Sequence, residues 1–127
     1  MKNFKQLTAW QKSKELVLEI YKVSKLLPED EKFGLSSQIR RAAVSISSNI
    51  AEGSSRKSDK DYVRFLEMAL GSSFELETQL LIIKELELEI ESKLSTCSSL
   101  LEEVQKMLHA FISSIEKSKK ITYELKA

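Results

Sequence analysis

The chain has 127 residues, of which 42% are hydrophobic and 31% are charged, with three glycines and one proline. This length predicts one domain with one core, and the scarcity of glycine and proline predicts an all-α protein with short connections. The formal net charge of +1 excludes a general polycation, and the single cysteine, Cys97, excludes an intramolecular disulfide.

Membrane insertion is not predicted. No apolar run reaches the ~18 residues that a membrane-spanning helix needs. The first ten residues also lack the apolar segment of a secretory signal. We therefore expect a cytoplasmic protein without a membrane partner.

The first predicted helix spans residues 9–27. Thr8 would be its N-cap, Gln11 would complete a capping box, and Pro28 would end it. A short charged turn follows, and Gly34 lets the chain reverse. The buried side of this helix would carry Trp10, Val17, Ile20, Tyr21 and Leu27.

The second predicted helix, residues 35–52, combines an apolar seam with many small residues. The seam consists of Ile39, Ala43, Ile46 and Ile50. Small residues on its other sides would let another backbone approach closely. The period-two alternation around Ile46 would also suit a strand, but no other segment predicts a partner strand, and a lone strand would leave its backbone groups unpaired. Gly53 is predicted to end the helix in the left-handed conformation.

The third and fourth predicted helices span residues 58–87 and 91–118. Ser58 would cap the third helix, with Asp59 and Asp61 in its first turn. Gly71 lies mid-helix in a patch of small residues that would face the second helix. The fourth helix has the clearest seam, running from Leu94 to Ile115 with spacings of three and four. Residues 119–127 are predicted to form a frayed tail.

Four amphipathic helices with short connections predict an antiparallel up-down-up-down four-helix bundle. In this topology residues 1–14, 53–64 and 113–127 lie at one end, with twelve Lys or Arg against four Asp or Glu. We call this the basic end. Residues 22–35 and 84–93 lie at the other end, with five basic residues against seven acidic ones. The molecule should therefore be electrically bipolar.

The sequence contains no set of residues typical of an enzyme. His109 is the only histidine, so the Glu-x-x-His pairs of di-iron bundles cannot be built. Cys97 lies on the apolar seam of the fourth helix and has no CxxC partner. There is also no glycine-rich phosphate loop. We expect no enzyme, no metal site and no cofactor.

The basic end is the strongest candidate for a functional site. Its cations would neutralise phosphates and release counterions, which gives salt-dependent binding of nucleic acid. The candidate residues are Arg56, Lys57, Lys60, Arg64, Lys117, Lys119 and Lys120. The alternative is a solvated helix end, because only Tyr62 and Phe4 offer aromatic surface for stacked bases.

A second group of polar residues lies on the second helix, namely Arg40, Arg41, Asn49 and Glu52. These residues would form either an internal polar network between helices or part of a subunit interface. Either setting would supply a partner for the Glu52 carboxylate, which cannot be buried alone.

Several segments carry a family resemblance: WQK at 10–12, FGL at 33–35, SQIRRAAVSI at 37–46, SNIAEG at 48–53, and GS at 71–72 through ELETQL at 75–80. Over about residues 4–118 the chain resembles the bacterial four-helix-bundle family that includes proteins encoded in intervening sequences of 23S ribosomal RNA genes. The resemblance implies an antiparallel bundle that assembles into a homo-oligomeric ring, usually a pentamer. This family in turn resembles the accessory protein of diversity-generating retroelements, a basic pentameric barrel that associates with a reverse transcriptase and nucleic acid.

The sequence departs from the family pattern in two places, one in the second helix and one in the turn between the third and fourth helices. Ser47 stands where the family often has Pro, so a kink expected in the second helix should be weaker or absent. Glu87, Leu88 and Glu89 replace the usual Gly of the turn between the third and fourth helices.

The favoured function is a non-enzymatic homo-oligomer that binds RNA or a ribonucleoprotein through its basic end. The alternative is a structural or protein-interaction scaffold that binds no nucleic acid.

Overall fold

The computed structural model describes the backbone of residues 3–126 and the side chains of residues 3–118. Its four helices are α1 (Thr8–Leu26), α2 (Leu35–Ser54), α3 (Asp59–Glu85) and α4 (Glu91–Lys126). Short 3-10 helices at Phe4–Gln6 and Glu29–Glu31 precede α1 and α2, and no strand occurs within the described range. Each helix packs against the next one, and α4 also packs against α1. The predicted all-α four-helix arrangement is confirmed.

The core is a column of aliphatic side chains contributed by the apolar seams of all four helices. Burying one such side chain contributes about 1.5–3 kcal/mol, so these seams dominate the stability of the fold. The largest fully buried side chains are Leu16, Ile20, Ile39, Ile46, Ile50, Leu66, Leu76, Ile83 and Leu108.

The predicted capping box of α1 is wrong. The N-cap is Leu7, and it makes no side-chain capping hydrogen bond. Gln11 Nε2 instead donates to the carbonyl of Lys5 at 2.9 Å, which ties the first 3-10 helix to α1. On the predicted buried side of α1, Tyr21 is 38% exposed, because its position faces the outer edge of the contact with α2.

Gly53 does not end α2 in a left-handed conformation. It is buried and helical, and α2 continues to Ser54. A Cβ atom at this position would lie 3.0 Å from Phe65 Cβ and 3.0 Å from Tyr62 Cδ1. The absence of a side chain is therefore required by the close approach of α3 and not by backbone conformation.

Serine pairs join α2 to both of its neighbours. Ser47 Oγ is hydrogen-bonded to Ser13 Oγ of α1 at 2.9 Å, and Ser45 Oγ to Ser72 Oγ of α3 at 2.9 Å. Because these side chains are short, the three backbones run close together. Helix α2 passes through Ser47 without interruption. The predicted contact of small residues with α2 holds for Ser72, whereas Gly71 has open space around it.

The turn between α3 and α4 contains two non-glycine residues with positive φ, Glu87 at 53° and Glu89 at 58°. A left-handed conformation costs a residue with a side chain roughly 1–2 kcal/mol. The backbone of this turn thus favours glycine at positions where the sequence has glutamate. Beyond the predicted end at residue 118 the backbone of α4 remains helical to Lys126, so residues 119–126 continue the helix.

We expect Gly53→Ala to lower the free energy of unfolding by about 1–3 kcal/mol, because the new methyl group must displace α3. Gly71→Ala is the matched control: nothing lies within 4 Å of its Cβ position, so replacing a mid-helix glycine should raise stability by up to about 1 kcal/mol. Denaturant unfolding of both variants measures whether the free energy of unfolding falls for Gly53→Ala and rises for Gly71→Ala. A Gly53→Ala variant as stable as the wild type would contradict the close approach.

We expect Glu89→Gly to stabilise the protein by about 0.5–1 kcal/mol, because glycine adopts positive φ without the steric cost of a side chain. Glu67→Gly makes the same chemical change inside α3 and should cost about 1 kcal/mol. Thermal unfolding of the two variants should therefore shift in opposite directions. A loss of stability in both would argue against a left-handed residue at position 89.

Candidate nucleic-acid interface

Four predicted cations lie together where α2 passes into α3. Arg56 and Lys57 occupy the connection, and Lys60 and Arg64 lie in the first turns of α3. Ser58 caps this helix as predicted, its Oγ accepting a hydrogen bond from the backbone N–H of Asp61 at 3.1 Å. The cap fixes where α3 begins, and thereby how these side chains are spaced.

Phe65 organises the two arginines. The Arg56 Cζ atom lies 4.4 Å from the centroid of the Phe65 ring, and the Arg64 Cζ atom lies 5.2 Å from it. Each cation–π contact of this kind contributes roughly 0.5–1 kcal/mol at an exposed site. Phe65 is itself buried against the Gly53 position. The core thus holds a ring on which two guanidinium groups rest.

The ion pairs that these arginines make with acidic side chains are weak. Arg56 Nη2 lies 3.6 Å from Glu52 Oε2, and Arg64 Nε lies 3.7 Å from Asp61 Oδ1, with all four side chains more than 40% exposed. Exposed ion pairs of this kind contribute about 0–1 kcal/mol. A phosphate group would therefore displace these carboxylates at little cost.

Among the described residues, the lysines of this group lack the carboxylate contacts that the arginines make. Lys57 and Lys60 are exposed, and their side chains make no ion pair with any residue that the structure describes. Lys117 is exposed on α4. It follows Phe111, whose ring contacts that of Tyr62 with centroids 5.3 Å apart. Residues 119 and 120 continue α4, but the side chains of Lys119 and Lys120 lie outside the described residues.

The aromatic surface near this end differs from the one expected. Tyr62 is buried, and burial raises the pKa of its phenol, so its ring offers no face to a base. Phe4 is half-buried and packs edge-to-face on Trp10 with centroids 5.2 Å apart. Lys14 Nζ lies 5.3 Å from the centroid of the Trp10 ring. The sequence places Trp10 on the buried side of α1, whereas the structure leaves it half-exposed beside Lys14.

Arg40 and Asn49 make contacts within the chain, on opposite sides of α2. Arg40 Nε donates to Ser24 Oγ of α1 at 2.6 Å, and its Cζ atom lies 4.7 Å from the centroid of the Tyr21 ring. Asn49 Nδ2 donates to the carbonyl and to Oγ of Ser45, which bonds to α3.

Arg41 and Glu52 are both exposed. Glu52 contacts Arg56, and Arg41 has no side-chain partner among the described residues. The four polar residues of α2 therefore do not form one network, and Glu52 needs no buried partner.

The described residues lack the groupings that metal or nucleophilic chemistry requires. No group of three or more His, Cys, Asp or Glu side chains between residues 3 and 118 is placed to hold a metal ion. His109 is exposed, and Cys97 is fully buried. Burial raises the pKa of the Cys97 thiol to about 12, which disfavours the reactive thiolate. None of the described helices is both long enough and apolar enough to span a membrane.

These features define a small four-helix-bundle protein whose most distinctive surface is one basic end. Residues 5–110 match the sequence model of the family described as 23S rRNA-intervening sequence protein, and the chain belongs to that family. The chain is also similar to a protein of unknown function from the S23 ribosomal protein family of Bacteroides thetaiotaomicron VPI-5482, known from a crystal structure. The TM-score is 0.76 at 28% identity, over 83% of this chain and 98% of that one. No curated protein sequence matches the chain. Neither the family nor the similar structure carries an enzymatic assignment.

Near pH 8 we expect Cys97 of the folded protein to react with a disulfide reagent about 1,000-fold more slowly than Cys97 of the unfolded chain. The reason is that burial raises its pKa from 9.0 to about 12, so the reactive thiolate is correspondingly scarcer in the folded protein. Well below pH 9 almost all of the thiol keeps its proton in both states. As pH rises from there toward 12, only the unfolded chain ionises, so the free energy of unfolding falls. Ser99→Cys in a Cys97→Ala background is the control, because position 99 is exposed on the same helix and should react at once. Fast labelling of native Cys97 would contradict its burial.

Proposed function

We propose that this protein is a non-enzymatic, homo-oligomeric four-helix bundle that binds RNA or a ribonucleoprotein through its basic end. The observation that carries the proposal is the cluster of Arg56, Lys57, Lys60 and Arg64 around Phe65. The family description supports an RNA context, because it refers to intervening sequences of 23S rRNA. A ribonucleoprotein partner is met in the cytoplasm, which is where we propose that the protein acts.

The arrangement suits a phosphate backbone for two reasons. The guanidinium groups are oriented by the Phe65 ring, so less side-chain freedom is lost when they form the paired hydrogen bonds that phosphate accepts. The two lysines add exposed point charges beside them. Because the opposite end is acidic, the field of the molecule would also turn the basic end toward a polyanion.

The homo-oligomer is part of the same proposal and is supported by the family resemblance, which implies a ring that is usually a pentamer. A ring would place several copies of the basic end on one RNA.

A protein-interaction scaffold without nucleic-acid binding is the competing function, and exposed apolar side chains favour it. Phe33 is 91% exposed and Leu18 is 58% exposed. The two functions differ in their response to salt. Phosphate binding weakens steeply with added salt because counterions are released, whereas an interface of apolar contacts does not.

The first test is binding of the purified protein to structured RNA, single-stranded DNA and duplex DNA at two salt concentrations, with the mass of the protein measured in the same buffers. Sub-micromolar RNA binding that falls sharply with salt supports the proposal. Absence of binding to all three at low salt would refute it and leave the scaffold.

We expect Lys57→Ala with Lys60→Ala to weaken RNA binding and to reduce the slope of log affinity against log salt by about 1.4–1.8, since each lost phosphate contact removes about 0.7–0.9. Lys32→Ala with Lys93→Ala removes the same charge from exposed positions at the other end and should leave the slope unchanged. Equal effects of the two pairs would show that net charge, and not the basic end, determines binding.

A further inference from the structure

One side of α1 combines exposed apolar side chains with lysines. Leu18 is 58% exposed and Tyr21 38% exposed, and Lys14 and Lys25 are exposed on either side of them. The spacings of four, three and four residues put all four on one side of the helix. We call them the α1 face. Lys25 has no side-chain partner among the described residues, and Lys14 contacts only the Trp10 ring there.

A groove of about 530 Å³ runs between α3 and α4. We call it the α3–α4 groove. The buried side chains of Leu80, Leu94 and Leu101 line it, together with Leu81, which is 55% exposed.

The charged lining of this groove is mainly acidic. It contains Glu77, Glu91 and Glu102, with Lys84 as the one basic lining residue. Glu77 accepts a hydrogen bond from Gln105 at 2.9 Å, and Glu102 pairs with the exposed Lys106 at 3.2 Å. Glu91 has no side-chain partner among the described residues. The groove is thus apolar at its floor and negative along its rim, which complements the α1 face.

The charges of the two surfaces also have the same spacing. Lys14 and Lys25 are eleven residues apart on α1, and Glu91 and Glu102 are eleven residues apart on α4. Eleven helical residues make about three turns and span about 16 Å. The two lysines therefore lie along one side of α1, and the two glutamates lie along one side of α4. A helix presenting one pair can meet both members of the other.

The two surfaces lie at the same height in the bundle. The ion pair between Lys12 Nζ and Glu103 Oε2, at 3.6 Å, shows which levels of α1 and α4 lie side by side. Counted in opposite directions along these antiparallel helices, Lys14 comes level with residue 101 and Lys25 with residue 90, each one residue, or about 1.5 Å, from Glu102 and Glu91. A neighbouring copy placed alongside without any axial shift would therefore bring opposite charges together at both levels.

We infer that the α1 face of one copy binds in the α3–α4 groove of a second copy. The inference rests on the homo-oligomer part of the proposed function and names the contact that would build it. Within one copy the α1 face does not reach the groove, because α1 and α3 are not adjacent helices in the described chain. Leu18 and Tyr21 lie against Leu81 and the floor of the groove, with the Lys–Glu pairs above and below them.

This contact joins two different surfaces, so it is heterologous and repeats from copy to copy. Because the matching levels need no axial shift, successive copies stay in one plane, and the repeat closes into a ring when the rotation between neighbouring copies divides a full turn. All basic ends then face the same side of the ring.

The test reverses the charges of each surface separately. The first variant carries Lys14→Glu and Lys25→Glu, and the second carries Glu91→Lys and Glu102→Lys. All four side chains are exposed, and circular dichroism checks that each variant keeps its helices. We expect the wild-type chain to be an oligomer by light scattering after size exclusion, and each variant alone to be a monomer.

Two recombinations make the test specific. A chain carrying all four substitutions should regain the wild-type mass. An equimolar mixture of the two variants should associate, since every mixed contact again pairs opposite charges. A ring with an odd number of copies cannot alternate throughout, so the mixture should exceed the monomer mass without having to reach the wild-type mass. Glu29→Lys with Asp30→Lys is the matched control, because these exposed acids lie outside the groove; this variant should keep the wild-type mass.

An uncharged pair of variants guards against misfolding of the reversals. Leu18→Ser and Leu81→Ser each remove one exposed apolar side chain and should weaken association without changing the fold.

The outcomes separate the inference from the proposed function. A wild-type chain that stays monomeric over a wide range of concentration would refute both the ring and this contact. An oligomer that persists at full mass in both reversal variants would refute the contact alone. RNA binding is measured independently through Lys57 and Lys60, which lie outside both surfaces.

Discussion

Helix α2 packs close to both of its neighbours, and this closeness determines where α1 and α3 can lie. Ser47 touches Ser13 across one side of α2, and Ser45 touches Ser72 across the other, each pair at 2.9 Å between hydroxyl oxygens. At Gly53 the neighbouring helix is so near that a single methyl group would meet it at 3.0 Å. A bulkier side chain at any of these positions would push a helix outward, and tightly packed interiors tolerate such changes poorly.

The same closeness determines the chemistry of the basic end. Since Gly53 has no side chain, Phe65 packs at the base of α3 with its ring turned toward the connection. Arg56 and Arg64 then lie 4.4 and 5.2 Å from that ring. The position of two surface cations is thus fixed by an absent side chain in the preceding helix. At this end of the molecule, core packing therefore determines where the surface charges lie.

Periodicity predicts the parts of this structure that depend on long apolar seams. The spacing of Leu94, Leu101 and Leu108 specifies α4 because burial of these side chains requires one helical face toward the core. Local signals were less reliable at helix ends. Glycine commonly ends a helix, yet Gly53 is required by a tertiary contact with Tyr62 and Phe65 of the next helix, and such contacts override local preference. Thr8 failed as a cap for a related reason, because the chain before it folds back as a 3-10 helix held by Gln11.

The candidate site was predictable as a composition but not as a geometry. A high density of Lys and Arg near the start of α3 is visible in the sequence, and antiparallel topology places it at one end. The contact between Arg56 and Phe65 was not predictable, since it crosses a turn whose path no periodicity describes. The separate roles of Arg40 and Asn49 were hidden for a similar reason: the two positions lie on opposite sides of α2, and the sequence does not show which helix each side meets.

The ion pair between Lys12 and Glu103 shows the axial position of α1 along α4, and this position bears on how strongly a ring of such chains would hold a long polyanion. With no axial shift between copies, every basic end would occupy one plane. Once a strand touched one of them, its next segment would meet the neighbouring end at a high effective concentration. Modest attraction at each end would then combine into avidity, and the strand would be retained through successive partial releases.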